Sequence, residues 1–196
     1  MKIISVPCKN GNTDALLAHL KGHVFHLTTQ TAYEAILQSG EILHNKDQRF
    51  TLNTSSENSF GRLMGCVCFF DLRNESQEFV DKVHGCYPFL SPPWFGTPNK
   101  KYTTFKLTYL ILNPTYYDRL IPYSTVHDHC RNTGKFLRAI PHGEVWIKER
   151  VPMGWIETVL TANIRHAASN RNTLASILHQ FEVQELKKEA ALSRRC

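Results

Sequence analysis

The stretch "GCVCFFD" (residues 65–71) constrains the fold most. It is a short, near-continuous apolar run bounded by glycine and aspartate. That pattern suits a β-strand buried on both faces rather than a strand with one wet side. Such a strand needs a sheet with cover above and below. Further strand candidates follow. "TTFKLTYLILNP" (103–114) alternates Phe105, Leu107, Tyr109 and Ile111 against Thr104, Lys106 and Thr108, the period-2 signature of a half-buried strand, and it stops at Pro114. "GEVWIKERVP" (143–152) and "WIETVLTA" (155–162) are two more.

The helical signals lie between these runs in no regular order. "DALLAHLK" (14–21) places Leu16, Leu17 and Leu20 on one side and is stopped by Gly22, after which "HVFHL" (23–27) reads as a strand. Thr31 and Glu34 have capping-box spacing, which predicts a helix over 32–39 with Tyr33, Ile36 and Leu37 as its apolar stripe. Gly40 supplies the left-handed stop and "EIL" (41–43) a short strand. Residues 44–64 are polar and turn-rich, a functional loop; 74–84 read as helix; 85–101, rich in proline and aromatics, as a structured excursion. A long connection is expected over 115–142, and a helix over 164–190 with Ile164, Leu174, Ile177, Leu178 and Phe181 near one face. This irregular mixture predicts an α+β domain rather than a doubly wound parallel sheet. Neither a G-x-G-x-x-G nor a G-K-[ST] loop is present to bind a nucleotide in the ways those motifs do.

At 196 residues and 42% hydrophobic content, the chain supports one core and is read as a single domain, 1–196. Its formal charge of +6 is compatible with a polyanionic partner without requiring one. The six cysteines (Cys8, Cys66, Cys68, Cys86, Cys130, Cys196) include no C-x-x-C pair, so reduced thiols in a cytoplasmic protein are expected. The opening "MKIISVPCKNGN" is too short in apolar residues for a signal peptide, and no run reaches membrane-spanning length. "HDHC" (127–130) offers His127, His129 and Cys130, but with no second ligand pair at zinc-like spacing no metal site is expected.

Three segments, taken together, resemble the ADP-ribosyltransferase superfamily, especially its DarT-like toxins. "VFHLTTQTAYEAILQSGEI" (24–42) is similar to the family's opening strand and helix, "GRLMGCVCFFDLR" (61–73) to its second, aromatic-bearing strand, and "HGEVWIKERVPMGWIETVLT" (142–161) to the strand that opens with the catalytic glutamate. The resemblance implies two small facing β-sheets with flanking helices and a central cleft that holds NAD⁺ as co-substrate. It also implies roles. Glu144 becomes the catalytic carboxylate, His26 a catalytic and NAD-orienting residue, Thr28 a second polar contact, Phe69 or Phe70 a ring stacked on the nicotinamide, and Arg49 or Arg62 a phosphate contact. The family usually has tyrosine where this chain has phenylalanine.

Each residue also has an ordinary structural reading. Glu144 would be a surface carboxylate on the same strand side as Lys148, His26 a satisfied strand histidine, and the phenylalanines core. Arg49 and Arg62 would be solvated.

The connection before Glu144 lies where the family keeps its target-recognition loop, so Arg131, Lys135 and Arg138 are expected to contact the acceptor. Trp94, Phe95, Lys100 and Lys101 of the excursion set aromatic rings beside charge, a pairing that suits single strands. The implied activity is transfer of ADP-ribose to nucleic acid, DNA or RNA, on a base, by the toxin of a toxin–antitoxin or phage-defence system. An antitoxin would then be a protein partner, docked for example on the tail helix that ends "LKKEAALSRRC" (186–196), and no membrane is expected. Two rivals keep the fold: transfer to protein or to an RNA 2′-phosphate, and an inactive interaction module.

Overall fold

The computed structural model describes residues 1–8, 14–50, 59–74, 76, 102–135, 137, 139 and 143–167, with backbone alone at 102–105 and 164–167. Among the described residues eight strands are formed: β1 (Lys2–Val6), β2 (Val24–Thr29), β3 (Glu41–Leu43), β4 (Cys66–Asp71), β5 (Tyr102–Leu112), β6 (Glu144–Lys148), β7 (Arg150–Pro152) and β8 (Ile156–Ala167). The helices are α1 (Asp14–Leu20), α2 (Gln30–Ser39), α3 (Phe60–Met64) and α4 (Tyr123–Thr133), with 3-10 turns at Pro114–Arg119 and Met153–Trp155. The protein is therefore a mixed α+β structure.

One six-stranded sheet runs in the order β1-β8-β5-β2-β4-β6, and β3 and β7 form a separate two-stranded ribbon. β1 and β8 run parallel; the other pairings in both sheets are antiparallel. Where the resemblance implies two small facing sheets, the described residues form one large sheet and a two-stranded ribbon. The large sheet is continuous only through a narrow join. β2 pairs with β5 from Phe25↔Ile111 to Thr29↔Leu107, and β4 with β6 from Cys66↔Lys148 to Phe70↔Glu144. Between β2 and β4, however, the register is confined to Val24↔Asp71 and Phe25↔Phe70. Just outside those pairs, Leu72 N–H donates to His23 O and Gly22 N–H to Leu72 O. In the other direction, from His26 to Thr29 and from Phe69 back to Cys66, the two strands part.

Both faces of the sheet are covered, as "GCVCFFD" requires. On one face Leu16, Leu17 and Leu20 of α1 pack on Phe25, Phe70, Leu107, Tyr109, Ile111 and Leu160. α1 has only seven residues and could not persist alone. Burial holds it, each fully buried leucine contributing about 1.5–3 kcal/mol. On the other face Tyr33 of α2, Ile42 of β3 and Val151 of β7 cover Val24, Val67, Phe69, Leu110, Val145 and Val159. A third cluster, Phe60, Cys66, Val126, Leu137 and Trp146, seats α3 and α4 on the α1 face over β4 and β6. Gly61 is required here: a Cβ on it would lie 2.9 Å from Trp146 Cδ1.

Several sequence expectations are corrected. β2 runs on to Thr29, whose hydroxyl accepts from Ala32 N–H, so the cap of α2 is Thr29 and not Thr31. The threonine nearer the strand end already has the extended backbone a cap needs, φ −80° and ψ 163°. Gly40, at φ 75°, ends the helix as expected. β5 is buried on both faces over 107–112, not half-buried, because Leu110 and Leu112 meet the second core while Leu107, Tyr109 and Ile111 meet the first. The connection 115–142 contains α4, which was not foreseen. Residues 164–167 belong to β8 and not to a helix. The expected helix over 74–84, the excursion 85–101 with Trp94, Phe95, Lys100 and Lys101, the tail beyond 167, and Cys86 and Cys196 lie outside the described residues, apart from residues 74 and 76. Cys8, Cys66, Cys68 and Cys130 are free thiols.

Candidate functional site

The parting of β2 and β4 leaves edges that a sheet would normally close, and His26 stands at its apex. Its Nδ1 lies 2.8 Å from the carbonyl oxygen of Cys68. A carbonyl only accepts, so Nδ1 carries the proton. Burial lowers the pKa of the ring, against a smaller opposing effect of the Cys68 bond, so the neutral form is favoured. In that tautomer Nε2 is a lone-pair acceptor, and it has no hydrogen bond to the described residues. His26 keeps part of its surface open.

Strand alternation puts Thr28 on the same face as His26, and Thr28 is paired with Thr108 of β5. These two threonines, 8% and 0% exposed, are the buried polar residues among those described. The Thr108 hydroxyl donates to Gln30 Oε1 over a long 3.4 Å, and Gln30 Nε2 donates to Glu34 Oε1 at 3.0 Å. A hydroxyl left in an apolar layer costs about 1–3 kcal/mol when unpaired. The polar group His26, Thr28, Thr108 and Gln30 is therefore an exception within an otherwise apolar face, with His26 and Thr28 on β2 beside the split and Thr108 behind them on β5.

Phe69 contacts the His26 ring edge-on, with centroids 5.8 Å apart, and is fully buried in the α2-side core. Phe70 faces the opposite way, against Phe25 at 5.8 Å. Both phenylalanines are built into core clusters, which is their ordinary structural reading.

Glu144 opens β6 directly across from Phe70, and Phe70 lies across from Phe25. His26, Phe69 and Glu144 thus stand on three neighbouring strands. They do not share a face: alternation places Glu144 with Phe70 and Cys68 on the α1 side, and His26 and Phe69 on the α2 side. Cys68 marks the crossing point. Its carbonyl holds His26, while its thiol is pushed well above the usual range by burial and by the Glu144 carboxylate. A raised thiol pKa makes Cys68 a poor nucleophile.

The basic residues are scattered. Arg49 is exposed and paired with Asp47 at 3.1 Å. Arg62 lies on α3 ahead of β4, partly buried. Arg131, in the last turn of α4, and Lys135, just after it, are exposed. Arg138 lies outside the described residues. Among the described residues no three His, Cys, Asp or Glu side chains are grouped to hold a metal. Cys130 of "HDHC" accepts from Leu137 N–H and His129 lies edge-on to Phe60, both packing roles.

Sequence reasoning missed Thr108, Gln30 and the Cys68 carbonyl. A signal for Thr108 was present: "LIL" (110–112) breaks the alternation and implies burial on both faces, which takes Thr108 inside. No family model, curated protein or solved structure matches the chain.

Proposed function

We propose that this protein is an NAD⁺-dependent ADP-ribosyltransferase that modifies nucleic acid. The observation that carries the reading is the split between β2 and β4, bridged at its apex by a neutral His26 with a spare acceptor and with Thr28 on the same strand and face. A ribose hydroxyl needs an acceptor, and a dinucleotide needs a recess with a few polar groups in an apolar wall. The residues present fit such a ligand.

Breaking the bond between nicotinamide and ribose develops positive charge at the anomeric carbon, which a carboxylate stabilises electrostatically. Glu144 is the carboxylate at the join, and its position on the opposite face requires the sugar to enter the split rather than lie on one surface. The incoming nucleophile is a base of single-stranded DNA or RNA, because a base inside a duplex cannot reach that carbon. Arg131, Lys135 and Arg138 are assigned to the acceptor, Arg49 or Arg62 to the pyrophosphate. In a cell such a transferase acts as a cytoplasmic toxin that an antitoxin holds in check. No described helix is long and apolar enough to cross a membrane.

The rival reading is a non-catalytic module of the same fold. The burial of both Phe69 and Phe70 favours it, since neither ring is left to stack on nicotinamide. Incubation with labelled NAD⁺ and single-stranded DNA, duplex DNA, RNA or protein lysate separates the two. Label on nucleic acid that disappears in Glu144→Gln supports the transferase. Label on protein alone moves the acceptor class, and absence of label throughout leaves the module.

A further inference from the structure

At the open end of the split, on the β4 side, several segments meet around Gly65. The residue ends α3 at φ 70°, and its carbonyl accepts from Glu149 N–H at 2.9 Å, which fastens the β6–β7 turn to it. A Cβ on Gly65 would lie 3.3 Å from Lys46 Cδ and 3.9 Å from His44 Cε1, so the loop after β3 presses against the same turn. Lys148 is the cross-strand partner of Cys66, the next residue. Both lysines act on the Cys66 thiol, drawing its pKa down against the larger effect of burial.

The neighbouring arginines are neutralised locally, Arg49 by Asp47 and Arg150 by Glu41 at 3.4 Å. Neither Lys46 nor Lys148 has an ion pair among the described residues; the nearby acid, Glu149, is exposed. Three large apolar side chains of these segments are exposed, Leu63 and Met64 immediately before Gly65 and Phe50 on the loop that carries Lys46. Phe50 is held in place, because Asn45 accepts from its N–H and donates to its carbonyl, both at 3.0 Å.

We infer that this surface, with Lys46 and Lys148 as its cations and Phe50 as its platform, binds the backbone of single-stranded nucleic acid at the mouth of the split. Lysines with no ion pair among the described residues contact phosphates without regard to sequence, and an exposed ring on the same loop as Lys46 stacks on a base. The inference rests on the reading of the acceptor as nucleic acid and names where that acceptor enters.

The test is fluorescence anisotropy with a short labelled oligodeoxynucleotide and its RNA counterpart, titrated over a range of NaCl. Lys46→Glu with Lys148→Glu should weaken binding at least about tenfold and lower the slope of log K against log salt by about 1.4, at about 0.7 per phosphate. Lys2→Glu with Lys21→Glu makes the same charge change elsewhere and should leave the slope intact. Circular dichroism checks folding, and the milder Lys46→Gln, Lys148→Gln pair replaces the glutamates if they unfold the protein. An unchanged slope, an equal loss in the control pair, no binding by wild type, or binding only to phosphatidylserine vesicles overturns the inference. Nicotinamide release by the wild type is followed in parallel. Lysine-dependent binding without release removes the transferase reading and keeps the surface, whereas release without lysine-dependent binding does the reverse.

Discussion

His26 and Cys68 are joined by a side-chain hydrogen bond, Nδ1 to carbonyl oxygen at 2.8 Å, at the point where the backbone ladder between their strands has ended. The bond substitutes for a rung of the sheet and fixes the tautomer of the ring. It makes one residue both a structural tie across the split and the acceptor within it.

The tie is sensitive to acid. The folded-state pKa of His26 is lowered by burial from its ordinary value of about 6.5, so the unfolded chain binds the proton more readily. The contribution of neutral His26 is complete above about pH 6.5 and is lost as pH falls below it toward the lower folded value. Urea denaturation at a series of pH values should show stability declining on that acid side, and His26→Gln should flatten the part of the decline that His26 causes. An identical profile in the variant would remove His26 as its source.

Thr28→Val should separate stability from binding. The Thr28 hydroxyl has no hydrogen bond to the described residues, so replacing it by a methyl group should leave the melting temperature unchanged or raise it. If the hydroxyl contacts NAD⁺, affinity measured by calorimetry should fall about fivefold, or about 1 kcal/mol. Unchanged affinity would take Thr28 out of the site.

Thr29→Ala should destabilise the protein by about 1 kcal/mol, because the Ala32 N–H loses its acceptor in the first turn of α2. Thr31→Ala, on the exposed side of that turn, should change stability by less than about 0.5 kcal/mol. Chemical denaturation of the two variants distinguishes the caps, and the reverse order would restore Thr31.

Gly61→Ala should cost about 1–3 kcal/mol, since the added methyl group meets the fully buried indole of Trp146, which has nowhere to yield. Thermal melting reads the loss. A neutral result would mean that α3 shifts freely on β6.

Much of the scaffold was legible because its signals are local. The apolar run at 65–71 and the glycine stop at Gly40 depend on neighbours in sequence. "GEVWIKERVP" reads as one strand but is divided at Glu149, φ 70°, into β6 and β7, which join different sheets because their partners lie elsewhere in the chain. The β5 error has the same cause. Phe105, Leu107, Tyr109 and Ile111 gave a convincing alternation, yet whether the intervening residues face solvent is decided by α2 and the β3–β7 ribbon, which come from elsewhere in the chain. α4 escaped because "YSTVHDHCRNT" is largely polar: Val126 is its one buried side chain, with Tyr123 and Cys130 packing beside it only in part. For the site, His26, Thr28 and Glu144 were singled out in the sequence and do fall on or beside the split. The face each occupies depends on register between strands more than forty residues apart, and no local pattern encodes that.

The parallel pairing of β1 with β8 carries a consequence for biosynthesis. Lys2–Val6 leaves the ribosome about 150 residues ahead of the strand it pairs with, through Lys2↔Thr158 to Val6↔Ala162, and β5 awaits the same strand. The nascent sheet therefore keeps exposed edges until β8 emerges, late contacts of this kind being the slow ones. A nascent chain halted before Ile156 should be protease-sensitive and in need of a holding chaperone, and one released beyond Ala167 should snap shut.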